Sequence, residues 1–361
     1  MTNRRTFIKK TGMLMAAGTI PFPHFLLPST KDKLGVALVG LGYYSKDLLA
    51  PALQLTKYCE LRGIVTGSPE KVSDWQSKYG IPDKNVYSYD NMHQIADNAD
   101  IDVVYIVLPN TLHKKYTLLA AEAGKHVWCE KPMATTVKDC EEMISACKKN
   151  KVQLTIGYRM QHEPVTQKII SMAESKPYGA IKSLRAEAGF YHGGGDGSHW
   201  KLHKNLGGGA MFDMGVYPLN AVRYATQMEP ISVSARIENT RPEIFKVDET
   251  TYFDLEFPQG IQAHCKTSFA ENMNTLKVDC ASGWYELKPF QSYSGVTGRT
   301  SDGQVFAPFQ GNQQAKQMDD DALAILQKNP PLVPGEEGLR DIRIVEAIMR
   351  SASKGGERIA L

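Results

Sequence analysis

The sequence predicts an α/β protein in two parts. A doubly wound parallel sheet of the Rossmann type covers residues 33–157, and an α+β domain with an open, mostly antiparallel sheet covers 158–361. Three observations predict this. From residue 34 to 156 short apolar runs alternate with segments of helical periodicity, the pattern of strands buried on both faces and joined by helices. A Gly-x-Gly turn separates the first apolar run from the first helical segment. After Tyr158 the texture changes to period two, broken by Gly- and Pro-containing turns.

The elements follow in order. Residues 34–40 form an apolar run read as a strand, and Leu48, Leu49, Leu53 and Leu55 mark the helix after it. A strand over 61–65 and a helix over 69–79 come next. A strand is expected at 101–108, a helix from His113 to Ala123 closed by Gly124, and a short strand at 127–129. A helix over 139–150 and a strand over 153–156 complete this part. Beyond it, strands are expected at 181–190, 231–239, 250–257, 261–269, 275–280 and 283–287. A helix is expected over 211–224, and helices at 312–328 and 337–353 close the chain, the last able to pack back on the first domain. No internal repeat is visible.

Composition excludes several classes. With 42 Lys+Arg against 39 Asp+Glu the net charge is +3, and no basic block or basic-aromatic stripe occurs, so a nucleic-acid partner is not expected. The six cysteines show no Cys-x-x-Cys spacing, which speaks against a zinc site or a disulfide scaffold. No apolar run reaches about 18 residues, which excludes a multi-span membrane protein. The first residues differ in character. Arg4-Arg5, a basic start and a mildly apolar stretch over 13–27 have the layout of a twin-arginine export signal over residues 1–30. This implies a periplasmic or otherwise exported protein. No Ala-x-Ala precedes Lys31, so an uncleaved signal would be its only tie to a membrane.

The chemistry-bearing motifs lie where the pattern ends its strands. Gly40-Leu41-Gly42-Tyr43-Tyr44-Ser45 opens the first helix, where glycines allow a pyrophosphate to approach the backbone and the helix N-terminus. After the second strand, Val65-Thr66-Gly67-Ser68-Pro69-Glu70-Lys71 offers hydroxyls and a lysine with no carboxylate directly after the strand. That favours the 2′-phosphate of NADP, with NAD possible; the other reading is a helix start capped by Ser68 with Lys71 solvated. Leu108-Pro109-Asn110-Thr111-Leu112-His113 sits at the same sheet edge. In Cys129-Glu130-Lys131-Pro132 a lysine follows a buried strand, where it can polarise or deprotonate a hydroxyl; a structural Lys–Glu pair is the alternative. Asp213 and Tyr217 stand one helical turn apart, next to Gly207-Gly208-Gly209. The aspartate can orient a substrate hydroxyl while the tyrosine, its proton labilised by Lys131, acts as acid or base. An aspartate at a helix start with a packed tyrosine explains the same spacing. His192, His199 and His203 lack the acidic partners that would complete a metal site, and no metal is expected.

Taken together, these strings resemble the glucose–fructose oxidoreductase/inositol dehydrogenase (Gfo/Idh/MocA) family, and its glucose–fructose branch most. The resemblance runs from about residue 33 to 355. It also rests on Gly124-Lys125-His126-Val127-Trp128-Cys129-Glu130-Lys131-Pro132, on Gly157-Tyr158-Arg159, on residues 207–217 and on Pro334-Gly335-Glu336-Glu337-Gly338. It implies that Lys131 is the catalytic lysine and that Asp213 and Tyr217 complete the site. It implies Thr66 and Lys71 at the 2′-phosphate, and Tyr89, Arg159, Trp200, Lys201 and Tyr293 on the cofactor. With Gly40, Gly42, Tyr43, Tyr44, Leu108, Asn110, His113, Glu130 and Lys131, these are the expected cofactor-binding residues. A cis Lys131-Pro132 bond is implied as well.

The resulting expectation is an exported NADP-dependent oxidoreductase that passes hydride between a sugar and nicotinamide. Because NADPH is not regenerated outside the cytoplasm, a retained cofactor recycled between two sugars fits export. A homo-oligomer through the second-domain sheet is also expected. The rivals are an NAD-dependent glycosidase of the same fold and a non-catalytic sugar or cofactor sensor.

Overall fold

The computed structural model describes residues 31–361; the expected export signal lies outside the described residues. Six parallel strands form the first sheet: β1 (Leu34–Val39), β2 (Cys59–Val65), β3 (Val86–Tyr87), β4 (Val103–Ile106), β5 (His126–Cys129) and β6 (Leu154–Ile156). Their spatial order is β3-β2-β1-β4-β5-β6. Every residue of β1 and β4 is buried, because helices cover both faces of a parallel sheet. The order reverses between β1 and β4, so the loops leaving those strands diverge and open a crevice at the carboxyl edge.

The intervening helices are α1 (Ala50–Leu53), entered through a π-helical turn over Tyr44–Leu49, then α2 (Val72–Tyr79), α3 (His113–Glu122) and α4 (Val137–Lys149). Two details depart from the sequence pattern. The first turn of the 69–79 helix is a 3-10 turn, Pro69–Lys71, and β3 is too short to leave a periodic trace. After β6 comes a further helix, α5 (Pro164–Ser175), to which the sequence reading assigns no element; Glu163 caps it by accepting from the Thr166 N–H at 2.6 Å, and Pro164 starts it.

The second sheet has nine strands: β7 (Ile181–Gly189), β8 (Ser232–Glu238), β9 (Thr250–Glu256), β10 (Gln262–Ser268), β11 (Met273–Cys280), β12 (Gly283–Leu287), β13 (Gly298–Thr300), β14 (Val305–Phe306) and β15 (Ile359–Ala360). They run β14-β13-β12-β11-β7-β10-β9-β8-β15, and all pairs are antiparallel except β7 with β10. Helix α6 (Val216–Thr226), entered through a π-helical turn over Met211–Gly215, packs on β7, β10 and β11. The opposite face carries Arg185, Tyr252, His264 and Trp284.

The two closing helices reach back to the first sheet. Helix α7 (Gln313–Leu326) packs on α1 and β2, with Met318 and Ala322 in the apolar cluster that holds Leu38, Leu49 and Leu53. Helix α8 (Gly335–Ser353) spans both parts, touching α4 and β6 on one side and β8 on the other. Buried Arg223 of α6 locks onto α8 by donating to Glu337 at 2.9 Å and to Asp341 at 2.5 Å. One apolar core runs from Val39, Val65 and Ile156 through Tyr158 and Ile169 to Leu184 and Phe253, so the two sheets share an interior. All six cysteines are free thiols, and no helix among the described residues is long and apolar enough to cross a membrane.

Candidate active site

A cleft of about 620 Å³ opens along the carboxyl edge of the first sheet and is closed on its far side by residues 199–217 and Tyr293. Its floor is the turn after β1. Gly40 sits at φ +92°, where a Cβ would lie 2.3 Å from the Val107 carbonyl oxygen, so only glycine fits. At Gly42 a Cβ would meet nothing within 4 Å, and the bare backbone faces open space that a ligand can enter. Ser45 is buried and ties the turn by donating from its hydroxyl to the Gly40 carbonyl at 2.6 Å.

Beside this turn lie Thr66, Ser68, Lys71 and Tyr89. Ser68 does not cap the helix with its side chain; instead its N–H donates to the Thr66 hydroxyl at 3.0 Å. Lys71 is exposed, and its ammonium reaches back to the Leu41 carbonyl at 3.3 Å, which holds it beside the glycine turn. One lysine and two hydroxyls therefore converge at this end, with the Tyr89 ring resting on Gly67 and Tyr116.

At the other end stand Glu130, Lys131, Asp213 and Tyr217, with His199, Trp200, Lys201 and Tyr293 around them. The Lys131-Pro132 bond is cis. The Lys131 ammonium donates to the Asp213 backbone carbonyl at 2.8 Å and lies 4.4 Å from the Tyr217 ring centroid. It meets the face of that ring, and the Tyr217 hydroxyl has no hydrogen-bond partner among the described residues. Asp213 pairs through its carboxylate with Lys201 at 2.7 Å. Burial pushes the Asp213 pKa up, but the charges of Lys201 and Lys131 outweigh it and hold the carboxyl below its ordinary range. Tyr217 goes the other way: burial lifts its hydroxyl above the ordinary value, and Arg159 opposes the lift. Burial also raises Glu130, which accepts from the Tyr105 hydroxyl at 2.7 Å.

The triple glycine that precedes these residues is a close-packed clasp. A Cβ on Gly207 would press on Asn110 and Thr135 at 2.8 Å, one on Gly208 would meet the Lys201 carbonyl at 2.3 Å, and one on Gly209 the Asp248 carboxylate at 2.1 Å. The Asn110 amide donates across the cleft to the Gly207 carbonyl at 2.8 Å, joining the end of β4 to the loop that carries Asp213.

Two expected cofactor residues do not line the cleft. His113 is fully buried, with Nδ1 2.9 Å from the Pro132 carbonyl and Nε2 2.8 Å from the Leu108 carbonyl. It therefore ties two cleft-lining loops together from behind. Arg159 lies behind Tyr217 and Tyr293 rather than on the surface. Among residues not singled out for binding, Leu41, Val107 and Pro109 line the cleft beside expected ones, and their adjacency was the available signal. His199, weighed for metal, lines it as well, its ring stacked on Trp200.

Residues 34–158 match the model described as "Oxidoreductase family, NAD-binding Rossmann fold", and residues 166–286 match the "GFO/IDH/MocA C-terminal domain". The chain is 39% identical to the aldose-aldose oxidoreductase from Caulobacter crescentus, whose solved structure superposes with a TM-score of 0.87 over 91% of this chain and 100% of that one. It is 27% identical over 346 residues to the D-xylose 1-dehydrogenase [NADP(+)] of Haloarcula marismortui, covering 90% of this chain and 92% of that protein. A D-xylose 1-dehydrogenase (NADP(+)) 2 from Haloferax volcanii is 26% identical over 331 residues, with 89% and 97% covered. The chain belongs to the Gfo/Idh/MocA family and is an NAD(P)-dependent oxidoreductase.

Proposed function

We propose that this protein is a sugar oxidoreductase that uses NADP and exchanges hydride at a hydroxyl-bearing carbon of an aldose, passing it on to a second sugar while the cofactor stays bound. The carrying observation is the convergence of Lys131, Asp213 and Tyr217 at one end of a cleft whose other end gathers Thr66, Ser68 and Lys71. Similarity to NADP-dependent D-xylose dehydrogenases and to an aldose-aldose oxidoreductase supports it.

The residues present fit the dinucleotide. Gly40 allows the tight turn and Gly42 leaves the backbone open for a pyrophosphate, Thr66, Ser68 and Lys71 would hold the 2′-phosphate, and Tyr44, Glu130, Trp200, Lys201 and Tyr293 would enclose the ring end. When bound, the nicotinamide supplies a carbon that accepts or returns hydride. The chain's own groups handle the proton and the charge. Asp213, held ionised by Lys201 and Lys131, accepts a hydrogen bond from a sugar hydroxyl and orients it. Tyr217 exchanges the proton of the reacting hydroxyl through its unpartnered phenol, and the Lys131 ammonium stabilises charge developing on the sugar oxygen.

Export through the twin-arginine route and pairing of two copies across the open face of the second sheet belong to the same proposal. Replacing both Arg4 and Arg5 by Lys keeps the charge and removes the arginine pair; retention in the cytoplasm is expected, and unchanged fractionation contradicts export. Mass analysis of the purified, unheated protein tests cofactor retention. NADP(H) released only on denaturation is expected, and an apo-protein that gains NADP reversibly contradicts it.

A further inference from the structure

Arg159 is 2% exposed and, among the described residues, forms no ion pair with a carboxylate. Its hydrogen-bond partners are neutral: the carbonyls of Gln291 and Ser292, the latter at 3.2 Å, the Gln313 side-chain oxygen at 2.8 Å and the Met160 sulfur, while Glu130 acts on it through charge without a direct contact. A buried guanidinium costs several kcal/mol in desolvation unless its charge is used. Here the charge falls on two aromatic rings. The guanidinium carbon lies 5.7 Å from the Tyr217 ring centroid and 4.7 Å from that of Tyr293, inside the range where a cation and an aromatic face attract.

Resting on the proposed role of Tyr217 in proton exchange, we infer that Arg159 is a positioning residue that acts through Tyr217: it fixes the Tyr217 and Tyr293 rings on the cleft wall and stabilises the phenolate left when Tyr217 gives up its proton. The partners support this reading, because a carboxylate in contact with the guanidinium would neutralise the charge before it reached the ring, whereas carbonyl and amide oxygens hold it and leave its sign. Segment and ring are also coupled: residues 291 and 292 grip Arg159, and the next residue is Tyr293.

The other charged and titratable groups facing Tyr217 come from several elements. Glu130, after β5, and Asp213, in the π-helical turn, disfavour the phenolate, while Lys201 favours it. Lys131 contributes its ammonium against the ring, and the phenols of Tyr44 and Tyr293 complete the surroundings. Among these influences burial is the largest and raises the Tyr217 pKa; Arg159 comes second and is the strongest that lowers it. In the oxidising direction the proton of the sugar hydroxyl passes to the Tyr217 oxygen, and in the reducing direction it returns, so the group that sets phenolate stability sets where in pH each direction runs.

The test uses the full chain with 3-fluorotyrosine in place of Tyr217, whose ionisation is followed by fluorine NMR with and without added NADP. Arg159→Gln is expected to raise the ionisation midpoint by about one unit or more, the scale of one nearby opposite charge, and Arg159→Lys to restore part of it. Should Arg159→Gln fail to fold, Gln313→Leu releases one of the guanidinium's holds and is expected to move the midpoint the same way by less. The alkaline limb of the pH profile of sugar turnover shifts in parallel. An unmoved midpoint in the folded variants overturns the inference, even if turnover falls, since that pattern is a purely structural role. A wild-type protein that turns over no sugar while its midpoint still answers to Arg159 contradicts the proposed reaction and leaves the electrostatic link standing.

Discussion

The Lys131 side chain donates to the backbone carbonyl of Asp213 at 2.8 Å, so the lysine two residues after β5 of the parallel sheet is fastened to the π-helical turn that leads into α6 of the second domain. The same ammonium lies against the Tyr217 ring. Lysine, aspartate and tyrosine thus form one unit drawn from both parts of the chain, although 82 residues separate the first two.

Removing the ammonium should therefore lower turnover without releasing the cofactor. Lys131→Met is expected to reduce turnover by orders of magnitude while the amount of NADP(H) released on denaturing the purified, unheated variant stays near the wild-type value, because the grip at the other end is untouched. Tyr217→Phe should lose about 10²–10⁴-fold, the scale of general acid–base catalysis. The double variant should fall little below the worse single one, since groups acting together are non-additive. Fully multiplicative losses would mean that the two act independently.

Asp213 owes its ionised state to a contest, and Lys201 is the strongest group favouring ionisation. The folded pKa is depressed, so the carboxylate persists as pH falls through the ordinary carboxylate range. Lys201→Met removes the 2.7 Å ion pair and leaves burial opposed chiefly by Lys131. The acid limb of the kcat/KM profile should then move up by about one unit or more, and Lys201→Arg should keep it near the wild-type position. An unmoved limb in Lys201→Met would show that Asp213 does not govern that part of the profile.

Much of this site was legible because of where its motifs fall. Gly40-Leu41-Gly42, Thr66 to Lys71, Leu108 to Asn110 and Glu130-Lys131 each follow an apolar strand, and a parallel sheet brings all strand ends of that kind to one edge. Asp213 and Tyr217 were legible from helical spacing, though a π-helical turn precedes the α-helix between them. Arg159 and His113 lie behind the cleft lining for a common reason. Both follow a strand in a polar string, but which way such a side chain turns depends on partners far away in sequence, here Gln313 and the Pro132 carbonyl. The parallel pairing of β7 with β10 and the two- and three-residue strands β13 to β15 are likewise settled by tertiary contacts, with no local period to announce them. Helix α5 is different, since Glu163-Pro164 and the apolar Val165, Ile169 and Ala173 did carry a helical signal.

Cofactor preference should hang on Lys71. Its ammonium already lies at the glycine turn, 3.3 Å from the Leu41 carbonyl, so a 2′-phosphate there gains a charge-assisted contact worth roughly 1.5–3 kcal/mol. Lys71→Ala is expected to weaken NADP by about that amount and to leave NAD nearly unchanged, as read by fluorescence titration of protein stripped of its cofactor by denaturation and refolded. Equal losses for both cofactors would place the 2′-phosphate elsewhere.

Stability should carry the mark of Asp248, the carboxyl under Gly209. Burial lifts its pKa to about 6, against the Met211 N–H and Thr251 hydroxyl that it accepts at 2.6 and 3.0 Å. The folded protein therefore holds this proton more tightly than the unfolded chain, and stability falls as pH rises from about 4 to about 6. Asp248→Asn lacks that dependence and keeps an oxygen for Met211. Relative to wild type it should gain up to about 3 kcal/mol between those limits in urea unfolding, while Asp321 and Asp341, buried in both proteins, cancel from the comparison. A difference that is flat with pH would mean that Asp248 titrates no differently when folded.

The central claim is that Lys131, Asp213 and Tyr217 perform sugar oxidation with NADP, and the most direct measurement is nicotinamide absorbance in the presence of single aldoses. Wild-type protein given NADP and each aldose in turn should build up reduced cofactor with at least one of them, and a second sugar should discharge it. Lys131→Met should bind NADP and build up none. Absence of reduction with every aldose and polyol, under conditions where NADP is shown to be bound, would contradict the account, as would undiminished reduction by Lys131→Met.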